Sequence, residues 1–593
     1  MSTVATSSSG IPAAGFMQRW EMLVEACLGG EILPFLGAGM SIGATLKGDL
    51  PARYAGGMPR TWQLTDAIIK ELKATTFHPL ADWVAQELAR IEKQTPKSFA
   101  DAAQLFIDVH PRGEQGLYEK DAPLDMRLFL GISPLMGHRY IAWLVREGLF
   151  SEAISTNYDC ALEKAFEESF GMKPAFGVKV CHAISDLENY RSLAHDGQRL
   201  HHGVPTPVLR IYKINGCAQA YNTMTTKQDG FLVITDRHLQ DFGKRQWAHD
   251  LFRDRFRCRK MLFSGFGAEE PQVRFTALRV IEEFTSVLSS GSHCFLHVYE
   301  PELSAAQLQI AKASVPLNAG KPNPWSAVFT GGDKSLFDEP ATATGLSAAA
   351  FWRKLFESIV PRLIERRLER SLVFAWLREH DGHRPLSMAV VHDMRKKMSD
   401  GTVLSPWLKT FLAVPPGTTC PLLMQLCWRV RQIGSKGEPL PDGYYEECDR
   451  AESFPVMLLY LMHLLGLNAE DIVLQPDNVG FWLRFEVPFG TGSTIRWILV
   501  SEQRPLRMPA LPEPSSRVSV CLTLRKETWL GHRSISLTGG LTVSWFQIAL
   551  AELIAAVGQS PSSSSISKRF RDALHSSTFP KKTASLYAEL HAH

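Results

Sequence analysis

The chain has 593 residues, 45% of them hydrophobic and 21% charged, close to the globular norm, which excludes a mainly disordered or fibrous protein. Its 64 Lys and Arg face 61 Asp and Glu, a net charge of +3. That balance does not point to a dedicated nucleic-acid binder, although a local basic patch stays open.

At about 150 residues per domain, the length predicts roughly two to four domains. Residues 1–16 are small and polar and are expected to be a flexible tail. They carry no charged n-region and no apolar h-region, so no secretory signal is read there. Trp20, Leu23, Val24 and Cys27 recur at helical spacing and predict a helix over 17–30. Glu31 to Leu36 reads as a short apolar strand and runs into Gly37-Ala38-Gly39-Met40-Ser41. Amphipathic helices are expected at 62–73, 80–92, 99–108 and 134–148. The strand Ala153 to Ser155 leads into Thr156-Asn157-Tyr158-Asp159 and a helix over 160–170. The strand Val208 to Lys213 leads into Asn215-Gly216-Cys217. A helix over 238–256 precedes the strand Met261 to Ser264 and the turn Gly265-Phe266-Gly267. A helix over 271–288 precedes the strand Cys294 to Tyr299. Strands alternating with helices predict a parallel sheet covered by helices on both faces.

After about residue 315 the composition shifts. The stretch 316–348 is rich in Pro and Gly and reads as loop. A long helix over 347–379 carries Arg362, Arg366, Arg367 and Arg370, a face expected to be solvated, with docking as the minority reading. Period-two alternation over Phe481–Val487, Thr494–Val500, Arg517–Leu524 and Ser534–Leu537 predicts an antiparallel meander. A helix at 543–557 and a flexible loop over Ser560–Ser567 are expected after it. Trp482 and Trp497 are expected to pack a sheet face. The densest apolar run, Pro455 to Leu467, is interrupted by His463 and is too short to cross a bilayer. The 10 cysteines are dispersed and form no CxxC pair, so a cytoplasmic protein with reduced thiols is expected, without a four-cysteine zinc ribbon.

Four strand ends carry the chemistry. Glycine lets the backbone turn with positive φ and lets a phosphate approach the main chain, where helix N-terminal amides favour an anion. Gly37-Ala38-Gly39 has that form but is not G-x-G-x-x-G, because Ile42 stands in the third glycine's place. Thr156-Asn157-Tyr158-Asp159 offers an amide at a strand end, where ligands of open α/β sheets bind. It also reads as a helix cap with Asp159 in the first turn. Lys213-Ile214-Asn215-Gly216 and Ser264-Gly265-Phe266-Gly267 repeat the pattern. One such turn is ordinary; four in order are not.

The series Gly37-Ala38-Gly39-Met40-Ser41, Thr156-Asn157-Tyr158-Asp159, Lys213-Ile214-Asn215-Gly216 and Gly265-Phe266-Gly267 resembles the sirtuin-like NAD-binding domain. Met58-Pro59-Arg60-Thr61-Trp62 is similar to the stretch after the glycine loop in bacterial members. The resemblance implies a Rossmann-like α/β domain over 17–330. It implies that Gly37, Ala38, Gly39 and Ser41 hold the NAD pyrophosphate, and that Thr156 and Asn157 sit by the nicotinamide ribose. Asp159 would support that loop, and Gly265 with Phe266 would lie at the adenosine side. Family chemistry begins by breaking the bond between nicotinamide and ribose, through an oxocarbenium-like state that needs polar groups and a nucleophile. In deacetylases the nucleophile is an acyl-lysine oxygen; in the bacterial defence branch it is water, and NAD is destroyed.

Two departures bear on the reading. The missing zinc ribbon favours the defence-type, anti-phage NAD hydrolase. Asn215 stands where the family has a histidine base, and an amide takes no proton near pH 7. His182, His201 and His202 are candidate substitutes, the last two also reading as a surface pair. Cys217 reads as a structural thiol, and no base is evident beside Ser41. Arg253, Arg255, Arg257, Arg259 and Lys260 read as a solvated helix end, or alternatively as a phosphate contact.

The expected architecture is therefore a 1–16 tail and a 17–330 Rossmann-like NAD-binding domain. A 331–370 linker and helix and a 371–593 α+β sensing or partner-binding domain follow. The expected function is NAD hydrolysis in bacterial defence, with oligomerisation or a partner protein engaged through the C-terminal domain and no membrane. The alternative is a catalytically inactive NAD- or nucleotide-binding scaffold. A dehydrogenase is remote, because the full glycine fingerprint with its acidic partner is missing.

Overall fold

The computed structural model describes residues 13–48, 54, 56–75, 80–95, 97–169, 178–182, 199–201, 204–206, 209–240, 242–267, 271–285, 294–297, 304–313, 328–329, 348–370, 398–400, 403–415, 417–425, 482–489, 493–501 and 518–524. The chain divides into two compact units. The first is Met1–Ser169, Phe176–Gly197 and Pro207–Phe356; the second is Phe170–Ala175, Gln198–Thr206 and Glu357–His593.

The first unit is built on parallel strands. In chain order the described strands of the whole protein begin with β1 (Ile32–Leu36), β2 (Glu152–Ser155) and β3 (Val178–Cys181). Next come β4 (Arg199–His201), β5 (Val204–Thr206) and β6 (Leu209–Lys213). Then follow β7 (Lys260–Ser264), β8 (Cys294–His297) and β9 (Val328–Phe329). Seven of these form one sheet in the order β3-β6-β2-β1-β7-β8-β9, all pairs parallel. Both β1 and β2 are buried along their whole length. Burial on both faces is why β1 reads as a continuous apolar run rather than an alternating one. Pro34 lacks a ladder donor, and the pairing of β1 with β2 begins only past it, at Phe35.

The first unit has two large hydrophobic clusters. In one, Phe35, Phe252, Phe256, Phe263 and Phe266 pack with Trp247, Met261 and Ile310. Ring centroids lie 4.8 Å apart for Phe35–Phe266 and 5.0 Å for Phe35–Phe263. Each such ring contributes about 2 kcal/mol of burial. The second core is helical. It joins Thr61–Ala74, Ala81–Glu92 and Phe99–Val109 to the chain after β6, through Leu64, Ile68, Phe106, Phe129, Tyr221 and Leu232. Ser98 starts the helix Phe99–Val109 by accepting the Asp101 N–H at 3.1 Å, a side-chain cap for an otherwise unpaired donor.

The predicted strands and helices up to residue 297 occur close to their expected positions. Four strands up to residue 329 were not foreseen: β4 and β5, which pair as a hairpin, and two members of the large sheet. β3 is an edge strand of four residues, and β9 falls inside the stretch expected to be loop. Both are too short to show periodicity. The expected 238–256 helix is two, Asp236–Gln240 and Phe242–Cys258.

The second unit, taken by itself, contains the hairpin β4–β5 and the hairpin β10 (Ser399–Asp400) with β11 (Val403–Leu404). It also contains the helix Pro406–Leu412 and a sheet of β12 (Trp482–Phe489), β13 (Ser493–Ser501) and β14 (Val518–Leu524). The meander expectation is corrected here: β12 and β13 are antiparallel, but β13 and β14 are parallel. Parallel pairing needs a return of roughly a dozen residues or more, and residues 502–517 supply that length. Trp497 lies across from Phe485 and Val520 in this register. The side chains of Trp482 and Trp497 lie outside the described residues, as do the expected elements at 455–467, 534–537, 543–557 and 560–567. The expected long helix is described as Ala348–Arg370, with Pro361 inside it. Arg362 is half-buried there; the side chains of Arg366, Arg367 and Arg370 and residues 371–379 lie outside the described residues.

Candidate functional site

Register places the four motifs at one level. Leu36 pairs with Ser155 and with Ser264, and Ser155 pairs with Lys213. Gly37, Thr156, Ile214 and Gly265 are therefore each the first residue past a common line at the carboxyl edge of the sheet. From β1 the chain fills one side with β2 and β6, then crosses to β7 on the other. That reversal is a topological switch point, where open α/β sheets bind ligands, and it falls between the Gly37 and Gly265 turns.

Those two turns touch backbone to backbone. Gly37 N–H donates to Ser264 O at 3.0 Å and Gly39 N–H to Gly265 O at 2.8 Å. A Cβ on Gly37 would lie 2.4 Å from Gly265 O. One on Gly265, whose φ is +65°, would lie 2.4 Å from Met40 N. Both glycines are explained by this mutual approach. The helix expected after the glycine loop is a single 3-10 turn, Ala38–Ser41. One turn has no macrodipole to favour an anion, and Gly39 N–H is already given to Gly265 O, so a phosphate contact through this loop's backbone would rest on exposed Ala38.

Asn157 and Asp159 bind the second motif to the first. Asn157 Nδ2 donates to Gly37 O at 3.0 Å, and Ser41 Oγ donates to Asp159 Oδ2 at 2.8 Å. Asp159 Oδ1 also accepts the Ala161 N–H at 2.9 Å, at the start of the helix Ala161–Glu168. Asp159 thus stands just before the helix, whose N-cap is Cys160, rather than in its first turn, and neither Thr156 nor Asn157 is the cap. Ser41 is buried, and its only proton is committed to Asp159, which leaves none to donate to a pyrophosphate. Asp159 is thus the carboxylate neighbour of Ser41 that the sequence did not reveal. Thr156 is buried and its N–H donates to Leu36 O at 3.0 Å.

The other end of the Asn157 carboxamide is different. Oδ1 is buried and has no hydrogen-bond partner among the described residues. A buried acceptor left unpaired costs about 1–3 kcal/mol, so it calls for a donor from a ligand or a water.

Asn215 lies at the end of β6, 6% exposed, and its carbonyl accepts the Val233 N–H at 2.9 Å. Gly216 follows with φ +100°, and a Cβ there would meet Phe231 O at 2.5 Å. Of the substitute bases, His182 stands near this turn: its ring is 5.5 Å from that of Phe231. His201 falls on β4, in the second unit; His202 lies outside the described residues. Phe266 turns its ring into the sheet core, so only its backbone faces the strand ends, and Gln307 Nε2 donates to its carbonyl at 2.9 Å.

Three groups at this edge escaped the sequence reading. Lys213 is 1% exposed, and its ammonium lies 2.6 Å from Glu163 Oε1. It also donates to the Asp159 carbonyl. Burial pulls the Lys213 pKa down, but the charge of Glu163 foremost, then Cys160, Cys217 and Asp159, holds it above the ordinary value. Burial pushes the Glu163 carboxyl up against the pull of Lys213. The third is His138, buried on the helix Met136–Arg146. Its desolvation pushes its pKa down against the opposing charge of Asp159. Its Nδ1 accepts the Leu135 N–H at 3.3 Å, so that nitrogen is not a free base. The spacing of Lys213 and Glu163, on a strand and a helix far apart in the chain, gave no signal.

The arginine cluster is at the opposite edge. Arg253 and Arg257 pair with Glu283, Arg255 with Glu152, and Lys260 with Glu31. Arg259 donates to Gly30 O at 2.7 Å. Every one of these cations is committed inside the protein, at the amino ends of β1, β2 and β7, which corrects the phosphate-contact alternative.

Residues 151–316 match the family described as the SIR2-like domain. The match takes in the second, third and fourth motifs and stops short of the first. The first unit thus contains a SIR2-like domain with a Rossmann-type parallel sheet. A similar solved structure is described as "Structural Basis for the Mechanism and Regulation of Sir2 Enzymes". It is 12% identical, covers 50% of this chain and 96% of its own, and has a TM-score of 0.19. At that score it lends the fold no weight; strand order and the family match do. No curated protein matches the chain. Among the described helices none is long and apolar enough to cross a membrane.

Proposed function

We propose that the first unit binds NAD at the β1/β7 switch point and cleaves the nicotinamide–ribose bond with water, releasing nicotinamide and ADP-ribose. The observation that carries this reading is Asn157: a buried carboxamide with its amino group fixed to Gly37 O and its Oδ1 left without a donor among the described residues. The residues present fit such a ligand in part. The orphaned oxygen and the exposed backbone at Ala38 suit polar contacts over the strand ends, whereas Ser41 does not suit a phosphate.

In this reading Asn157 Oδ1 accepts a hydrogen bond from the attacking water or a ribose hydroxyl. A fixed dipole of that kind stabilises positive charge growing on the sugar. Asp159 is a positioning residue that holds Ser41 and the helix start. Nicotinamide leaves as a neutral molecule, because the bond's electron pair neutralises its ring nitrogen, so no general acid is required. The water's proton passes to solvent, since Asn215 cannot take it. The cysteine spacing, with no pair for a zinc ribbon, supports the water-consuming, anti-phage type over deacylation. The second unit is then the part that oligomerises or meets a partner protein.

Asn215 also supports a second reading, a scaffold that binds NAD without cleaving it. Incubating the full chain with NAD and candidate partners, and following free nicotinamide, separates the two. Hydrolysis predicts release that Asn157→Ala lowers about a hundredfold, the scale of one lost transition-state donor or acceptor. Binding by calorimetry with no release under any partner leaves the scaffold. Asn215→His should raise release if only a base is missing; unchanged release would mean that the deficit lies elsewhere.

A further inference from the structure

Two loops of the candidate site carry a cysteine directly behind a motif residue: Cys160 after Asp159, and Cys217 after Asn215-Gly216. Their sulfurs and a Glu163 carboxylate oxygen all lie within 4.8 Å of one another, buried. The Cys160 thiol donates to the Cys217 sulfur, which also accepts from the Gln219 and Ala220 backbone N–H groups. The Lys213 ammonium is 3.9 Å from Cys160 Sγ.

A metal is the obvious occupant of two sulfurs and a carboxylate, but the charges oppose it. Glu163 is already paired with Lys213 at 2.6 Å, and a divalent cation would share that space with a buried ammonium. The same ammonium favours a thiolate. Burial and the hydrogen bond to its neighbour act in opposite senses on the pair. The hydrogen bond from Cys160 draws the Cys217 pKa down, and donating that bond, together with burial, drives Cys160 up. The Gln219 and Ala220 N–H groups aimed at Cys217 are the geometric asymmetry of the pair: they favour an anion at Cys217, the attacking sulfur, and leave Cys160 to resolve.

We propose that Cys217 and Cys160 are an oxidation site for a small hydroperoxide, closing to a reversible disulfide that staples the end of β6 to the loop after β2. The Cys217 thiolate attacks the peroxide oxygen, the O–O bond breaks, and hydroxide leaves, giving a sulfenic acid at Cys217. The Cys160 sulfur then displaces that hydroxyl as water, with loss of the Cys160 proton, and the S–S bond forms. The two thiols give up two electrons and the peroxide takes them. Hydrogen peroxide is small enough for sulfurs that are 8% and 3% exposed; large disulfide-exchange proteins are not. A disulfide needs sulfurs at about 2.05 Å, and the two sulfurs start within 4.8 Å of each other. Closure removes the thiolate beside Lys213 and pulls on the residue that follows Asp159, the brace of Ser41. Oxidation should therefore weaken the candidate site. That last consequence rests on the NAD reading; the bond itself does not.

The test uses the full reduced chain, titrated with hydrogen peroxide, then digested and mapped by mass spectrometry. The expected result is a Cys160–Cys217 cross-linked peptide, two hydrogens lighter than its parts, which dithiothreitol reverses. Cys160→Ser should stop at a sulfenic acid on Cys217 that dimedone traps. Cys217→Ser should leave Cys160 unreacted. Peroxide that modifies exposed Cys258 while Cys160 and Cys217 stay free thiols would overturn the proposal. So would sulfinic acid at Cys217 of the unmutated chain without the cross-link, or one zinc per chain that Cys160→Ser removes. NAD affinity, read by calorimetry in both redox forms, should fall at least tenfold on oxidation. A mapped disulfide with equal affinities sinks the coupling alone, and no NAD binding in either form sinks the NAD reading alone.

Discussion

The two edges of the parallel sheet are opposites. At the amino edge the charges are dense and mutually committed: Glu152 accepts from Arg255 and Tyr212, Glu283 from Arg253 and Arg257, Glu31 from Lys260. At the carboxyl edge glycines and two asparagines stand beside the buried pair Lys213–Glu163, and Asn157 keeps a buried oxygen without a partner among the described residues. In sequence the arginine run is the louder feature, yet it is the structural one. A group's type says what it can bond; only its partners say whether that capacity is spent. Leaving a buried charge unpaired costs most, so at both edges the charges are paired and the unpaired Asn157 oxygen is a neutral acceptor.

Three changes sharpen that contrast. The largest effect is expected at the carboxyl edge from Gly265→Ala, which forces a side chain into positive φ and against Met40 N. It should cost about 3 kcal/mol or more in urea unfolding, with loss of NAD binding in whatever remains folded. Glu152→Gln tests the amino edge and should cost about 2–3 kcal/mol while leaving NAD affinity within twofold. Burial pushes the Glu152 carboxyl up, but Arg255, Tyr212 and Arg210 together hold it below the ordinary 4.5. A depressed folded value means that the stabilisation is present above the ordinary carboxylate range and lost as pH falls through the folded value. Denaturation profiles should therefore show a shallower acid slope in Glu152→Gln. Last, Arg253→Ala removes an exposed ion pair and should change stability by less than about 1 kcal/mol, measured the same way. Loss of NAD binding in that variant would break the contrast between the edges.

Much of the sheet was legible because buried parallel strands are continuous apolar runs, each ending abruptly in glycine or a polar residue. β1, β2, β6 and β7 announced themselves in that way. β3 and β9 did not, since two to four residues carry no period. The partner direction of β14 was hidden too: residues 518–524 alternate equally well in parallel or antiparallel company, and only the return path decides. At the site, the motif residues were visible as types and their commitments were not. Ser41 looked like a donor for phosphate until Asp159, 118 positions away, took its proton. Lys213 looked like the last residue of a strand, and its buried pairing with Glu163 is a property of the fold alone.

The central position of β1 has a consequence for how the protein is made. Its carboxyl end is held by Asn157 and Asp159, 120 and 118 positions on, and by the Ser264 region, about 224 positions on. Synthesis runs from the N-terminus, and contacts of such high sequence separation form late. On the ribosome the Gly37 turn lacks its backbone partners at Ser264 and Gly265 until β7 has emerged. The earliest part of the site to be translated is thus among the last to be assembled. A nascent chain stalled short of residue 260 should be unable to engage a nucleotide, however well its first strand is formed.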